Sequence, residues 1–289
     1  MIKTKGSKAV DWLIAGICLV MILLCLLPVM NVLARSLSSP GTLIRNEVGI
    51  WPKELNFDAY KMVLGTSKYT WSLAWTAILT VICTIFSLFM TIICAYPLTY
   101  DNLKGRKFLN GMIILTMYFS AGTIPNYLLL KDLGMLNTVS VLILPGCLSV
   151  FNMIILRSFL YGIPESLRES AELDGAGPIR TLVSIYLPLS TSVLATLALF
   201  YAVGRWNGFS DALMYVKNEK IFPIQLLLYN ILQSVTSVEV ATQEGFTTPG
   251  LGDTIKAATV MIATIPILLV YPWLQRFFIT GVTIGAVKG

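Results

Sequence analysis

Six stretches of this 289-residue chain contain no Asp, Glu, Lys or Arg: 12–34, 69–100, 108–130, 133–156, 181–204 and 257–275. A helix needs about 20 apolar residues to cross the ~30 Å hydrocarbon core of a bilayer, and each stretch meets or approaches that length. With 56% hydrophobic residues, 12% charged ones and a mean hydropathy of +0.76, a water-soluble domain would carry far too apolar a surface. The runs are continuous rather than alternating, which predicts helices that satisfy their own backbone in lipid and argues against a barrel. The fold class is therefore an all-α polytopic membrane protein with six transmembrane helices, read as one membrane domain over residues 1–289.

Lys3, Lys5 and Lys8 precede the first run, and Val32-Leu33-Ala34 resembles a signal-peptidase site. That run far exceeds the 7–15 residues of a signal core, so it reads as an uncleaved first span with the N-terminus in the cytoplasm. Six spans then place three segments on the cytoplasmic side: Asp101 to Lys107, the loop 157–188 and the tail 276–289. Segments 35–68 and 205–256 lie outside. The bias in basic residues is one of density and rests on the N-terminus and the short loop. Ser234 to Gly252, rich in Gln, Ser, Thr and Gly, reads equally as a functional loop or a passive connection. The net charge of +6 is not arranged as a basic stripe with interleaved aromatics, so no nucleic acid is implied. Membrane lipid is the surrounding medium. Pro28, Pro97, Pro125, Pro145, Pro266 and Pro272 fall within or at the ends of spans, where each removes a donor and can bend a helix.

Histidine is absent, which removes the commonest general base and metal ligand. Cys18, Cys25, Cys83, Cys94 and Cys147 all lie in apolar runs without a C-x-x-C and read as packing residues. No catalytic or metal-binding constellation is present in the spans, and no G-x-x-x-x-G-K-[ST] cradle for nucleotide occurs. An intramembrane enzyme is thereby disfavoured. An ion-coupled secondary transporter would need ionisable groups at membrane depth, or sodium held by carbonyls, and stays open as the alternative.

Glu169 to Pro188 forms a charged, amphipathic island between these runs. Pro164 suits a first helical position, Glu165, Glu169 and Glu172 favour the positive end of a helix dipole, and Gly175 suits a left-handed stop. Beyond Pro178, the residues Ile179, Leu182, Val183, Tyr186 and Leu187 recur at the spacing of one apolar helical face. Two short helices joined at Gly175 would make a knob that fits a groove, or a connector lying in the headgroups.

Glu169-Ser170-Ala171, Gly175 and Ile185-x-Leu187-Pro188 together resemble the EAA motif of inner-membrane subunits of bacterial binding-protein-dependent ABC importers. Asp174-Gly175-Ala176 looks like the DGA of the carbohydrate branch, and Ser170 is a small-for-small departure. Trp206-Asn207-Gly208-Phe209 resembles the W-N-x-F of sugar permeases, and 275–289 is similar to their terminal segment. The chain thus resembles the maltose-type six-span subunit, nearest the oligosaccharide group.

The resemblance implies a MetI-like permease core with cytoplasmic EAA coupling helices and no enzymatic activity of its own. It implies a heterodimer with a second homologous permease subunit, two ATPase subunits that bind ATP and Mg, and an extracytoplasmic sugar-binding protein. Glu169, Ser170, Ala171, Asp174, Gly175, Ala176, Leu182, Tyr186, Leu187 and Pro188 would couple to the ATPase, Leu182 and Tyr186 as the apolar face of the knob. Gly281, Gly285, Lys288 and Gly289 would contact the ATPase from the tail. Tyr118, Tyr127, Tyr201, Trp206 and Asn207 are candidates for a sugar pathway, where rings stack on sugar faces, or for the aromatic belt of the interface. The localisation implied is the bacterial plasma membrane.

Overall fold

The computed structural model describes the backbone of residues 5–243 and 251–286 and the side chains of residues 10–233 and 251–269. The described residues are helical apart from turns and one isolated antiparallel bridge between Ser38 and Leu55, as an all-α membrane protein requires. Val10–Ser36, Ser67–Thr99 and Leu251–Leu269 are long and apolar enough to cross a membrane unaided. Two further pairs qualify only together: Arg106–Tyr118 with Thr123–Asp132, bent by 113°, and Pro178–Leu189 with Thr191–Asn207, bent by 83°. At the first bend Gly122 takes φ +90°, a conformation that breaks the helix and that L side chains avoid.

The stretch 133–156 departs from the expectation of one continuous helix. It holds a short helix, Ser140–Ile143, then non-helical chain over 144–149, then Val150–Tyr161. Pro145 and Gly146 sit in the break, where proline cannot donate to the preceding turn and glycine releases the backbone. The segment 205–256, expected as a loop, carries helices Ser210–Tyr215 and Ile224–Gln243 and the start of Leu251–Ala286; residues 244–250 lie outside the described chain.

Two compact units divide the chain, 1–71 with 227–265, and 72–226 with 266–289. In the first, the helix Lys5–Ser36 exposes Trp12, Leu13, Ile17, Ile22 and Leu24 around its whole circumference, the pattern of a helix surrounded by lipid. Its end is tied down by the Ser36 hydroxyl, 2.8 Å from the Tyr60 hydroxyl, and by Arg35, 3.4 Å from Asp253.

In the second unit the inward stripe of the long helix Ser67–Ala95 is small and hydroxylated: Ser72, Thr76, Thr80, Ser87 and Thr91 are buried, while Ile78, Val81, Ile85 and Phe89 face out. Lipid tails are as apolar as leucine, so close backbone approach and hydrogen bonds, rather than hydrophobic sorting, hold such helices together. The Ser72 hydroxyl donates to the Phe222 carbonyl at 2.6 Å, the Trp75 indole to the Ile221 carbonyl at 3.0 Å, and the Ile224 amide to the Thr76 hydroxyl at 2.7 Å. Toward the other end of this helix, Ala95, Tyr96, Met153, Leu156, Leu160, Tyr186 and Leu197 form the core on which the charged island is mounted.

Candidate functional site

Pro164 caps a nine-residue helix, Glu165–Leu173, with Glu165 in its first turn. Its end is a complete Schellman motif: Gly175 has φ +78°, its amide donates to the Glu172 carbonyl at 3.0 Å, and the Ala176 amide donates to the Ala171 carbonyl at 2.8 Å. The chain reverses at Gly177 and restarts with Pro178 at the first position of the helix Pro178–Thr181. This is the knob predicted from sequence, with its glycine in the predicted left-handed conformation.

The second helix is not a regular α-helix. It widens into a π-helical turn over Leu182–Tyr186 before Leu187–Leu189. Pro188 has no amide to donate and its ring crowds the carbonyl four residues back, which favours a wider turn. The wider turn shifts the faces of the helix. Tyr186, expected on the apolar face of the knob, is buried, and Leu182, expected on the same face, is half-buried. The exposed apolar groups are Leu173 (89% exposed), Ile179 (79%) and Val183, which crown the knob. Glu169, Ser170, Asp174, Gly175 and Pro188 are exposed, Leu187 and Ala176 half-buried, and Ala171 is buried beneath the turn.

The knob is fastened to the membrane core by a cluster that sequence reasoning did not pick out. The Tyr96 hydroxyl donates to the Pro178 carbonyl at 3.1 Å and lies 2.6 Å from the Tyr100 hydroxyl. The Tyr96 ring meets those of Tyr100 and Tyr186 edge to face, each at 5.3 Å between centroids. Arg168 closes the cluster from the first knob helix: its guanidinium lies 4.7 Å over the Tyr100 ring, pairs with Glu165, and places Nε 3.6 Å from Glu172. The i, i+3 and i, i+4 spacing of Glu165, Arg168 and Glu172 was a legible signal of that pairing. The arrangement joins the knob to the chain at the end of the long helix.

The pathway candidates separate. Tyr201 is held inside the second unit, its hydroxyl 2.7 Å from that of Thr91 and accepting from the Ser149 amide at 3.1 Å, and it lines a cavity of about 540 Å³. Tyr127 stacks on Tyr215 at 6.1 Å, Tyr118 is exposed, Trp206 is buried and Asn207 is exposed; none of these four lines that cavity. Gly281 and Gly285 fall on the helix Leu251–Ala286, where side-chain surroundings are not described, and Lys288 and Gly289 lie outside the described residues.

Several helices of membrane length, with a compact charged knob between two of them, define a polytopic membrane protein. The chain belongs to the family of binding-protein-dependent transport system inner membrane components, whose sequence profile matches residues 75–284. It is 40% identical to the protein LplC of Bacillus subtilis, covering 100% of this chain and 98% of that one. It is 38% identical to the polygalacturonan/rhamnogalacturonan transport system permease protein YtcP of the same organism, covering 98% and 99%. In three dimensions it is similar to a chain of a bacterial ABC transporter involved in the import of the acidic polysaccharide alginate, with a TM-score of 0.86, 27% identity and coverage of 96% and 99%.

Proposed function

We propose that this chain is the transmembrane subunit of an ATP-driven importer for oligosaccharides derived from polysaccharides, and that the knob over 164–189 is where an ATPase subunit pushes on it. The single observation that carries the reading is the knob itself, a turn locked by the Schellman bonds at Gly175 with Leu173 and Ile179 exposed on its crown. Exposed apolar side chains on a rigid, otherwise charged element suit insertion into a groove of a partner protein. The relatives named for polygalacturonan, rhamnogalacturonan and alginate transport support an oligosaccharide cargo.

In this reading the complex also contains a second, homologous permease subunit, two ATPases that hold ATP and Mg, and an extracytoplasmic binding protein that delivers the sugar. Closure of the ATPases displaces the knob, Pro178 pulls on Tyr96, and the helices alternate the pathway between the two faces of a bacterial plasma membrane. N- and C-termini lie in the cytoplasm, and the tail around Gly281 to Gly289 adds a second ATPase contact. The chain contributes no hydrolytic chemistry.

Affinity purification of the chain from its native membrane in mild detergent tests the reading. Recovery of a second permease and a Walker-motif ATPase, with uptake into proteoliposomes that requires ATP, is the expected result. A chain recovered alone that transports without ATP would replace this reading with an ion-coupled secondary transporter.

A further inference from the structure

The segment 144–149 is non-helical within an apolar stretch, and such backbone is tolerated at membrane depth where it is buried in protein or lines a polar cavity. Here it forms one wall of the 540 Å³ cavity, a volume within the ~300–1,000 Å³ span of small-ligand sites. Two polar side chains on the walls are more than nine-tenths buried: Ser87 at 3% exposure and Asn152 at 5%. The Asn152 backbone amide is bonded to the Ser149 hydroxyl at 3.4 Å, whereas its carboxamide and the Ser87 hydroxyl have no hydrogen-bond partner among the described residues. A ligand hydroxyl or a water in the cavity can bond both groups.

Aromatic rings of Phe151, Phe200 and Tyr201 complete the walls. The one charged lining residue among those described, Arg205, has its charge paired: it reaches Asp211 at 2.5 and 3.2 Å and donates to the Leu142 and Gly208 carbonyls at 3.1 and 3.2 Å, which leaves only its Nε, buried, without a hydrogen bond. The cavity therefore offers neutral hydrogen-bonding groups beside aromatic faces, and its one guanidinium is charge-paired with Asp211. That combination suits a sugar ring, with hydroxyls at its edge and an apolar C–H face.

We propose that this cavity is a pyranose-binding site on the chain itself, in which Ser87 and Asn152 bond the hydroxyls of one sugar ring and Phe200 packs on its face. The site rests on the importer reading and specifies which residues of this subunit hold the cargo. It reads a ring through hydroxyls, so acidic and neutral units are accepted alike.

The test uses the complete complex in proteoliposomes with its own binding protein, supplied with oligosaccharides released from pectin and from alginate by enzymatic cleavage. Lumenal sugar is read by mass spectrometry beside ATP hydrolysis stimulated by the loaded binding protein. The paired variant Ser87→Ala with Asn152→Leu is expected to lower uptake at least tenfold while stimulated hydrolysis stays within twofold, and Asn152→Gln is expected to recover part of the loss. Unchanged uptake, or uptake and hydrolysis falling in proportion, overturns the site. Should the paired variant fail to assemble, Phe200→Leu on the partly exposed wall must give the same split between uptake and hydrolysis, and its absence counts against the site equally. A wild-type complex that takes up no oligosaccharide under ATP overturns the importer reading and the site with it; wild-type uptake with indifferent variants overturns the site alone.

Discussion

The phenolic hydroxyl of Tyr96, near the end of the long helix Ser67–Ala95, donates to the backbone carbonyl of Pro178 in the knob at 3.1 Å. This bond crosses 82 residues of sequence and joins the knob to a helix long and apolar enough to cross the membrane. In Tyr96→Phe the ring packing against Tyr100 and Tyr186 is retained and the hydroxyl's bonds to Pro178 and Tyr100 are lost, at a net cost of about 1 kcal/mol each. Uptake is expected to fall several-fold while ATP hydrolysis continues, measured as molecules transported per ATP in proteoliposomes. An unchanged ratio would show that force travels by another route.

Arg168 should act through order within the knob. Its ion pairs reach glutamates that are more than half exposed, so each is screened and worth at most about 1 kcal/mol, and its position over Tyr100 adds a similar amount. For Arg168→Met, amide hydrogen exchange over residues 165–176 in nanodiscs is expected to speed up by about tenfold, the factor that corresponds to ~1.4 kcal/mol. Exchange at the wild-type rate would mean the knob holds its shape without the guanidinium.

Gly175 separates backbone strain from crowding, because a Cβ there would meet nothing within 4 Å while φ is +78°. Asparagine visits that region readily and a β-branched residue does not. Gly175→Asn should couple uptake to hydrolysis almost as wild type does, whereas Gly175→Val, strained by about 1–2 kcal/mol, should uncouple them. Equal behaviour of the two variants would remove the left-handed turn from the mechanism.

The exposed crown gives a direct test of docking. Ile179→Asp places a charge at a side chain that is 79% exposed, so insertion and thermal stability should be unaltered. Retention of the ATPase on an affinity column should drop by an order of magnitude or more, since burying such a side chain contributes about 1.5–3 kcal/mol. Full retention would locate the contact elsewhere.

The Arg205–Asp211 pair makes a stability prediction of the opposite kind. The Arg205 side chain is largely buried and that of Asp211 only partly, so Arg205→Leu leaves a half-screened carboxylate and should cost about 1–3 kcal/mol, seen as a lowered melting temperature in detergent. Replacing both residues by leucine should recover most of that loss.

The knob was legible because its determinants are local. Proline at the start, glutamates in the first helix, glycine at the stop and proline at the restart each act within a few residues, and Gly175 adopts the backbone its position called for. The orientation of Tyr186 was not legible, since apolar periodicity assumes 3.6 residues per turn and the π-helical turn before Pro188 breaks that count. Ser87 and Asn152 escaped notice for a related reason: single polar residues in apolar runs carry no pattern, and only their convergence on one cavity gives them meaning.

By itself the sequence determined that this protein lives in a bilayer, that it is helical, and that one charged island interrupts its apolar runs, because solvent partition and short-range backbone preference are properties of local composition. Only the tertiary structure decided which helices break, which face of the knob is free, how Tyr96 and Arg168 fasten it, and where the cavity beside Ser87 and Asn152 lies. Those features depend on contacts between residues far apart in the chain, and in lipid they are set by close packing and buried hydrogen bonds that no apolar pattern records.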